Sequence, residues 1–251
     1  MEACARHGIR AVDPWRDQVE AAGVAEAARI LRDNGMRVTG LCRGGMFAAA
    51  DADGRAAAID DNRRAIDHAA ELKADCLVLV VGGLPPGSRD IDGARAMVAE
   101  GLAAIVPHAR ACKVPLAIEP LHPMYAADRA CVNTLAHALD LCDLLGDGVG
   151  VAIDCYHVWW DPDLPRQIER AGATGRILAH HICDWLVPTR DLLNDRGMMG
   201  DGVIDLRRIR GWVEAAGYAG FCEVEIFSAD WWARPGDEVL RTCIERFNGV
   251  C

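Results

Sequence analysis

The stretch VGVAID at residues 149–154 decides the fold, because an apolar run of the length of one buried strand ends in a single acidic residue. Buried parallel strands have this almost uninterrupted apolar composition, since helices cover both faces of their sheet. Three further runs have the same form, with an acidic residue or a histidine at or near the end. They are PLAIEP (115–120), ILAHHI (177–182) and CEVEIF (222–227). The four runs therefore predict successive strands of one parallel sheet.

Three earlier apolar runs extend the pattern towards the start of the chain: IRAVDP (9–14), RVTGLC (37–42) and CLVLVV (76–81). The segments between the runs repeat apolar residues at intervals of three and four, as amphipathic helices do. The clearest are DNRRAIDHAAELKA, ARAMVAEGLAAIVPHARA, NTLAHALDLCDLLG and DLRRIRGWVEAAG. Asn133 and Asp205 stand just before two of these helices, where we expect them to act as N-caps.

Strand followed by helix, repeated along the whole chain, predicts an α/β fold with a parallel sheet. A length of 251 residues suits a single (β/α)8 TIM barrel. Seven strand runs are found, and the opening MEACARHG has the character of a helix end with no strand before it. We therefore expect a TIM barrel that lacks the first β-strand. No linker rich in Pro, Gly or Ser divides the chain, so we expect residues 1–251 to form one domain.

The charge and the apolar runs exclude several classes of partner. Lys and Arg total 27 against 37 Asp and Glu, a formal net charge of −10, which disfavours nucleic acid because its affinity rests on neutralising phosphates. The longest apolar runs are too short to span a bilayer, and the start lacks a secretory signal. The 11 cysteines include no C-x-x-C pair and do not resemble a disulfide framework. We expect a cytoplasmic protein that binds neither nucleic acid nor membrane.

Four chemically active side chains stand at or near the ends of the last four predicted strands: Glu119, Asp154, His181 and Glu225. The carboxyl ends of barrel strands converge on one face, so these side chains are expected to meet there. Side chains two residues apart on a strand point the same way. The residue two before Glu119, Asp154 and His181 is alanine each time, which indicates a crowded barrel interior beneath the site.

Three carboxylates and one imidazole suit Mn²⁺, Mg²⁺ or Co²⁺, whereas structural zinc sites prefer thiolates; Zn²⁺ remains an alternative. The interval between His181 and Glu225 is longer than the other intervals, which predicts a loop over residues 185–204 across the same face. That loop carries Arg190 and Arg196, which we expect to bind an anionic or hydroxylated substrate.

Some residues keep two interpretations. Asp184 either orients His181 or caps the following loop. The tryptophan pairs at 159–160 and 231–232 either wall the pocket or form a contact between copies of the chain, as in a homo-oligomer. The histidines within helical segments are interpreted as structural or solvated: His7, His68, His108 and His137.

Five motifs together resemble the sugar phosphate isomerase/epimerase superfamily of xylose isomerase-like TIM barrels. That superfamily includes tagatose 3-epimerase-like, hydroxypyruvate isomerase-like and inosose dehydratase-like members. The motifs are IEPLHP (118–123), IDCYH (153–157), HICD (181–184), GDGVID (200–205) and GYAGFCEVEIF (217–227). The resemblance covers nearly the whole chain.

The resemblance implies that Glu119, Asp154, His181 and Glu225 bind one divalent cation. It also implies that the two glutamates flank the substrate and exchange protons with it. The remaining substrate-binding candidates are His157 of the D-x-x-H motif, Arg43 in CRGGMF, and His122 in the loop after Glu119, where some epimerase members carry another acidic residue.

The expected activity is that of a divalent-metal-dependent isomerase of carbohydrate metabolism. It would isomerise or epimerise a small sugar, sugar phosphate or polyol ketone by proton transfer through a metal-stabilised enediolate. Loss of a β-hydroxyl from that intermediate would make the enzyme a dehydratase. Two alternatives stand beside this reading: an apurinic endonuclease-like metal hydrolase, and a non-catalytic degenerate barrel.

Overall fold

The computed structural model of the chain describes all 251 residues, and it has the strands that the sequence predicts. Six parallel strands form the main sheet, and a further parallel pair and a short antiparallel pair complete the β-structure. The strands are β1 (Ala11–Val12), β2 (Arg37–Val38), β3 (Leu41–Gly45), β4 (Leu77–Val80), β5 (Leu116–Ile118), β6 (Val149–Asp154), β7 (Ile177–Ile182), β8 (Asp184–Trp185), β9 (Arg196–Gly197) and β10 (Cys222–Val224). The order in the main sheet is β10-β7-β6-β5-β4-β3, while β1 pairs with β2 and β8 with β9.

Helices connect the parallel strands, as a TIM barrel requires. They are α1 (Glu2–Arg6), α2 (Arg16–Ala22), α3 (Val24–Asp33), α4 (Ala52–Leu72), α5 (Ile91–Cys112), α6 (Leu135–Leu145), α7 (Cys155–Val158), α8 (Leu164–Ala173), α9 (Leu206–Ala215), α10 (Ala229–Trp232) and α11 (Gly236–Val250). No helix combines the length and the apolar character needed to cross a membrane.

One of the two predicted helix caps is confirmed and the other is wrong. Asp205 caps α9 with its carboxylate, as expected. The cap of α6 is Thr134, one residue after the predicted Asn133. The Asn133 amide instead donates hydrogen bonds to the carbonyl oxygens of Leu121 and Ala130. An asparagine amide satisfies a loop carbonyl as readily as a helix end, and spacing alone does not separate the two uses.

The two faces of the sheet are packed as the alternation of side chains predicts. Small side chains fill the barrel interior, where they form a cluster of their own: Cys42, Cys76, Val78, Ala117, Ala152 and Ala179. Leu116 and Ile118 belong to the larger core on the helix side. Strict alternation along β7 would turn Leu178 to the helix side, but Leu178 packs against the inner cluster, because the β6–β7 register shifts at this residue.

The sheet is open along one seam. β1 pairs only with β2, and β10 pairs only with β7, so no hydrogen bond joins the two edge strands. The parallel strands thus fill seven barrel positions, with β2 and β3 sharing one. This agrees with the expected lack of a first strand. Beside the seam α1 contacts α11, where His7 Nε2 lies 2.9 Å from Asp237 Oδ1.

Candidate metal centre and active site

The four side chains that the sequence singles out meet at the carboxyl ends of the strands. Asp154 and His181 are register partners on β6 and β7. Glu119 is the first residue after β5, and Glu225 is the first residue after β10. Ligand atoms of Glu119, His181 and Glu225 all lie within 4.8 Å of one another. Asp154 joins through a second such group with Glu119 and His157. The sheet register therefore builds one polar centre from four strands.

His181 is a buried imidazole without a hydrogen-bond partner. Its Nδ1 lies 3.6 Å from Glu119 Oε1, and its Nε2 lies 3.7 Å from Asp13 Oδ2. Burial acts to lower its pKa, but the carboxylates of Glu119, Glu225, Glu223 and Asp13 outweigh burial and raise the pKa well above the ordinary value. The ring is thus surrounded by negative charge, and no hydrogen bond within the chain occupies either ring nitrogen.

Arg196 reaches the centre from the predicted loop and binds two of the candidate ligands. Its Nη1 lies 2.9 Å from Asp154 Oδ2 and 2.9 Å from Glu225 Oε2. The guanidinium is buried, and it lies between the rings of Tyr156 at 4.4 Å and Phe227 at 4.9 Å. Arg196 therefore belongs to the centre itself, because it contacts two of the predicted metal ligands directly. The sequence predicted only that it would contact the substrate.

The D-x-x-H motif places Asp154 at the start of the short helix α7 and His157 one turn later. Asp154 Oδ1 accepts a hydrogen bond from the Tyr156 N–H at 2.8 Å and so begins α7. Burial raises the pKa of Asp154 to about 7, although the charge of Arg196 acts in the opposite direction. One oxygen of this buried carboxylate is thus held by the helix, and the other, Oδ2, faces Arg196 in the centre.

His157 is neutral and faces Arg196. Burial, followed by the charge of Arg196, lowers its pKa well below the ordinary value. Its Nε2 lies 3.1 Å from Arg196 Nη2, and an arginine only donates, so Nε2 accepts. The neutral imidazole then carries its hydrogen on the other nitrogen, Nδ1. The His122 N–H lies 3.3 Å from Nδ1, and this is a close contact because two donors face each other there.

Two further carboxylates, Asp13 and Glu223, belong to the centre: the strand alternation places Glu223 on the same face as Glu225, whereas Asp13 was missed from the sequence. Asp13 follows β1, and its buried oxygens have no hydrogen-bond partner. Burial, and then the charge of Glu223, raise its pKa well above the ordinary value. Asp13, His181 and Glu223 form a further group of close ligand atoms. A signal was present, because Asp13 ends the apolar run IRAVDP much as Asp154 ends VGVAID.

The residues of the centre fit a divalent cation. Five carboxylates, those of Asp13, Glu119, Asp154, Glu223 and Glu225, interact with one imidazole and one guanidinium. Glu119 and Asp154 are buried and the other three are partly buried, and such an excess of negative charge away from water is costly without a positive partner. Both nitrogens of the His181 ring are available, and oxygen with imidazole ligands suits Mn²⁺, Mg²⁺, Co²⁺ or Zn²⁺.

Aromatic rings line the approach to the centre. Trp185 stacks on Tyr156 with 4.7 Å between ring centroids, and His122 lies 4.8 Å from the same indole. Trp159 packs 5.8 Å from Trp185, and Trp160 donates a hydrogen bond to the His157 carbonyl at 2.8 Å. This placement favours the pocket interpretation for the first tryptophan pair.

The loop at 185–204 is a hairpin that Asp184 holds in shape. The Asp184 carboxylate accepts four backbone hydrogen bonds, three from loop residues across the hairpin and one from its own neighbour. No contact joins it to His181, so capping the loop is the interpretation that the structure supports. The donors are Trp185, Gly200, Gly202 and Ile204. The hydroxyl groups of Tyr125 and Tyr156 donate to the Leu192 carbonyl and hold the loop over the centre.

Two predicted substrate-binding arginines lie outside this contact network. The Arg190 guanidinium pairs with the carboxylates of Asp195 and Asp230 at the loop surface. Arg43 lies on β3, and the ion pairs with Asp154 and Glu225 are made by Arg196 instead. The structure thus brings Arg196, His157 and His122 to the centre, whereas Arg190 supports the loop.

A family model described as xylose isomerase-like TIM barrel matches residues 1–247. The crystal structure of protein SMc04130 from Sinorhizobium meliloti 1021 is 70% identical, with a TM-score of 0.98 over 100% of this chain and 91% of that one. The crystal structure of IolI with a bound zinc atom is 18% identical, with a TM-score of 0.81 over 99% of this chain and 90% of that one. The latter likeness concerns the fold alone.

A curated relative, inosose isomerase from Halalkalibacterium halodurans, is 26% identical over 113 residues. The match takes in 44% of this chain and spans 40% of the length of that relative. The relative is thus a named isomerase that shares part of the fold with this chain.

Proposed function

This chain belongs to the xylose isomerase-like TIM barrel family, and we propose that it is a divalent-metal-dependent isomerase or epimerase of a small sugar or polyol ketone. The observation that carries the proposal is the arrangement of two glutamates about one imidazole. Carboxylate oxygens of Glu119 and Glu225 and a nitrogen of His181 lie within 4.8 Å of one another. Two carboxylates on different strands can contact opposite faces of one bound substrate, so one can remove a proton and the other can return one.

The two glutamates would move the proton. One removes the proton from the carbon beside the substrate carbonyl, and the pair of electrons becomes the double bond of an enediolate. Return of a proton to the opposite face by the other glutamate gives the epimer, and return to the neighbouring carbon gives the aldose–ketose isomer. A cation held by Glu119, Asp154, His181 and Glu225 would supply polarisation of the carbonyl and the neighbouring hydroxyl.

Arg196 and His157 would orient the reacting groups. Arg196 fixes the Glu225 carboxylate at 2.9 Å, and its remaining N–H groups can hold a substrate oxygen on which negative charge develops. His157 is neutral and buried, and it accepts from Arg196, so it helps to hold the guanidinium beside the two carboxylates. Both residues act by position and hydrogen bonding, with no proton transfer assigned to them.

The substrate class follows from the walls of the pocket. The rings of Trp185 and His122 are partly exposed and offer aromatic surface that suits the carbon face of a sugar or cyclitol ring, while the buried ring of Tyr156 supports Trp185 from behind. The relative from Halalkalibacterium halodurans is an inosose isomerase, which makes inososes the first substrates to test. The zinc atom in IolI adds Zn²⁺ to the metals to be tried beside Mn²⁺, Mg²⁺ and Co²⁺.

The two alternatives receive less support. A hydrolase acting on DNA needs a basic surface, and this chain carries a formal net charge of −10. A non-catalytic barrel agrees with the open seam between β1 and β10. It gives no reason for the five carboxylates about His181, which are costly to bury unless a cation or a substrate uses them.

The test is proton exchange with solvent. We expect the chain, loaded with Mn²⁺, to place deuterium beside the carbonyl of at least one inosose or ketose in deuterium oxide, followed by proton NMR. Glu119→Gln and Glu225→Gln should each lose the exchange, because an amide does not accept the proton. The exposed Glu245 lies on α11, away from the strand-end centre, and Glu245→Gln should exchange at the full rate. Exchange at full rate in Glu225→Gln would overturn the assigned role.

A further inference from the structure

A second group of metal-ligating side chains lies in the outer helix layer. Asp67 stands on α4, and His108 and Cys112 stand on α5. A spacing of four residues places His108 and Cys112 on the same face of their helix, one turn apart. That face packs against α4, so the three side chains meet between the two helices.

The ligand atoms of the three residues already face one another. His108 Nε2 lies 2.8 Å from Asp67 Oδ1, and Cys112 Sγ lies 3.7 Å from that nitrogen and 3.8 Å from that oxygen. All three residues are partly accessible, with 35% of the His108 side chain and 57% of the Asp67 side chain exposed. An ion could therefore enter from solvent without unfolding either helix.

We propose that Asp67, His108 and Cys112 form a second metal site, which takes Zn²⁺ or a similar thiophilic divalent ion and leaves the fourth position to water. Ligand bonds of about 2.3 Å to sulfur and about 2.0 Å to nitrogen and oxygen in a tetrahedron separate sulfur from its neighbours by about 3.5 Å. The observed 3.7 and 3.8 Å agree with that geometry. Nitrogen and oxygen would move apart from 2.8 Å to about 3.3 Å, which the exposed Asp67 side chain permits.

The combination of ligands selects the class of ion. One thiolate, one imidazole and one carboxylate suit Zn²⁺, Co²⁺ or Cd²⁺, whereas Mg²⁺ and Mn²⁺ prefer oxygen. An ordinary His–Asp hydrogen bond accounts for His108 and Asp67 but leaves the thiol of Cys112 beside both atoms without a strong partner. A bound ion would join α4 to α5 and so raise the unfolding temperature.

This site is separate from the centre at the strand ends. α5 follows β4 and leads into β5, so it runs back from the carboxyl ends of the strands to their amino ends. Cys112 is the last residue of α5, and it lies at the end of the barrel opposite to Glu119. The four predicted ligands at the strand ends include no thiol, which allows the two sites to be distinguished by spectroscopy.

The experiment is a Co²⁺ titration of the full, reduced chain, in which a thiolate ligand gives a charge-transfer band in the near ultraviolet. In the chain carrying Glu119→Gln and Asp154→Asn, which removes two ligands of the strand-end centre, we expect the band to saturate at one ion per chain, and Zn²⁺ but not Mg²⁺ to displace it. Cys112→Ser should lose the band. Glu119→Gln, which alters only the strand-end centre, should keep it, as should Cys4→Ser, a change at another partly buried thiol.

His108→Gln distinguishes a built site from a thiol that binds cobalt alone. Loss of the imidazole should weaken Co²⁺ binding at least tenfold, as the loss of a well-placed partner does in known metal sites. In the chain carrying Glu119→Gln and Asp154→Asn, which removes two ligands of the strand-end centre, Zn²⁺ should raise the unfolding temperature, and adding Cys112→Ser should abolish that rise. Absence of the band, its persistence in Cys112→Ser, or unchanged affinity in His108→Gln would each overturn the proposal.

Discussion

The guanidinium of Arg196 lies 2.9 Å from the fully buried carboxylate of Asp154, at the point where the sequence predicts a metal ligand. The same Nη1 atom lies 2.9 Å from Glu225. Arg196 thus neutralises two of the carboxylates that a cation would use. Each carboxylate oxygen has two lone pairs, so the guanidinium and a cation can share Asp154 and Glu225.

Replacing Arg196 by glutamine should therefore destabilise the metal-free chain and make it more dependent on metal. Removing one partner of a buried ion pair costs about 3–5 kcal/mol, because the remaining charge stays buried. Mn²⁺ should restore more stability to Arg196→Gln than it adds to the unaltered chain, as measured by urea unfolding with and without the ion. Arg234→Gln, at an exposed pair with Glu238, is the control. An equal effect of Mn²⁺ on both chains would count against a shared site.

Asp184 should matter for the loop and not for the metal. Its carboxylate accepts four backbone N–H groups, and a hydrogen bond to a charged acceptor contributes about 1.5–3 kcal/mol. Asp184→Ala should lower the free energy of unfolding by at least about 2 kcal/mol, while the affinity for Mn²⁺ stays unchanged. Asp201→Ala, which removes a surface pair with Arg246, should change little. A selective loss of metal affinity would restore the orienting role for His181.

Asp13 should position His181 for ligation. When one ring nitrogen binds a metal, the other needs an acceptor, and Asp13 lies 3.7 Å from Nε2. Asp13→Asn keeps the shape of the side chain but removes its charge, and should weaken Mn²⁺ binding about 10- to 100-fold. Isothermal titration measures the affinity, with the exposed Asp17→Asn as the matched control. Unchanged affinity would show that Asp13 is not a positioning residue.

His137 should make the chain less stable in mild acid. Burial, and then the charge of Arg95, lower its pKa below the ordinary 6.5. The unfolded chain therefore takes up a proton at a higher pH than the folded chain does. Stability is complete above about 6.5 and falls as the pH drops towards the folded value. His137→Gln should flatten this part of the stability curve measured by urea unfolding, and an unchanged slope would contradict the assignment.

The sequence predicts the repeated part of the fold well, because period and composition are local properties. VGVAID and ILAHHI become β6 and β7 over the predicted residues, and their register brings Asp154 beside His181. Alanine two residues before each ligand correctly placed small side chains inside the barrel. The end of a strand can thus be predicted from the sequence where a single polar residue closes an apolar run.

Contacts across the chain were harder to predict. The pairing of Arg196 with Asp154 depends on how the long hairpin returns over the centre, and no periodicity describes that path. The spacing of His108 and Cys112 was visible in the sequence, but their partner Asp67 lies 41 residues before His108, on another helix. The sequence predicts a structural or solvated His108 only from its position within a helical segment, which does not show the neighbour on α4.

The most direct test of the account is the metal content of the strand-end centre. The chain with Cys112→Ser, which removes the thiol of the outer site, would be loaded with Mn²⁺, passed through a desalting column and measured by elemental analysis. We predict one Mn²⁺ per chain, and loss of the ion when Glu119→Gln and Asp154→Asn are added. No retained ion after loading with Mn²⁺, Mg²⁺, Co²⁺ or Zn²⁺, or equal retention in the variants, would contradict the assignment of these four residues as ligands.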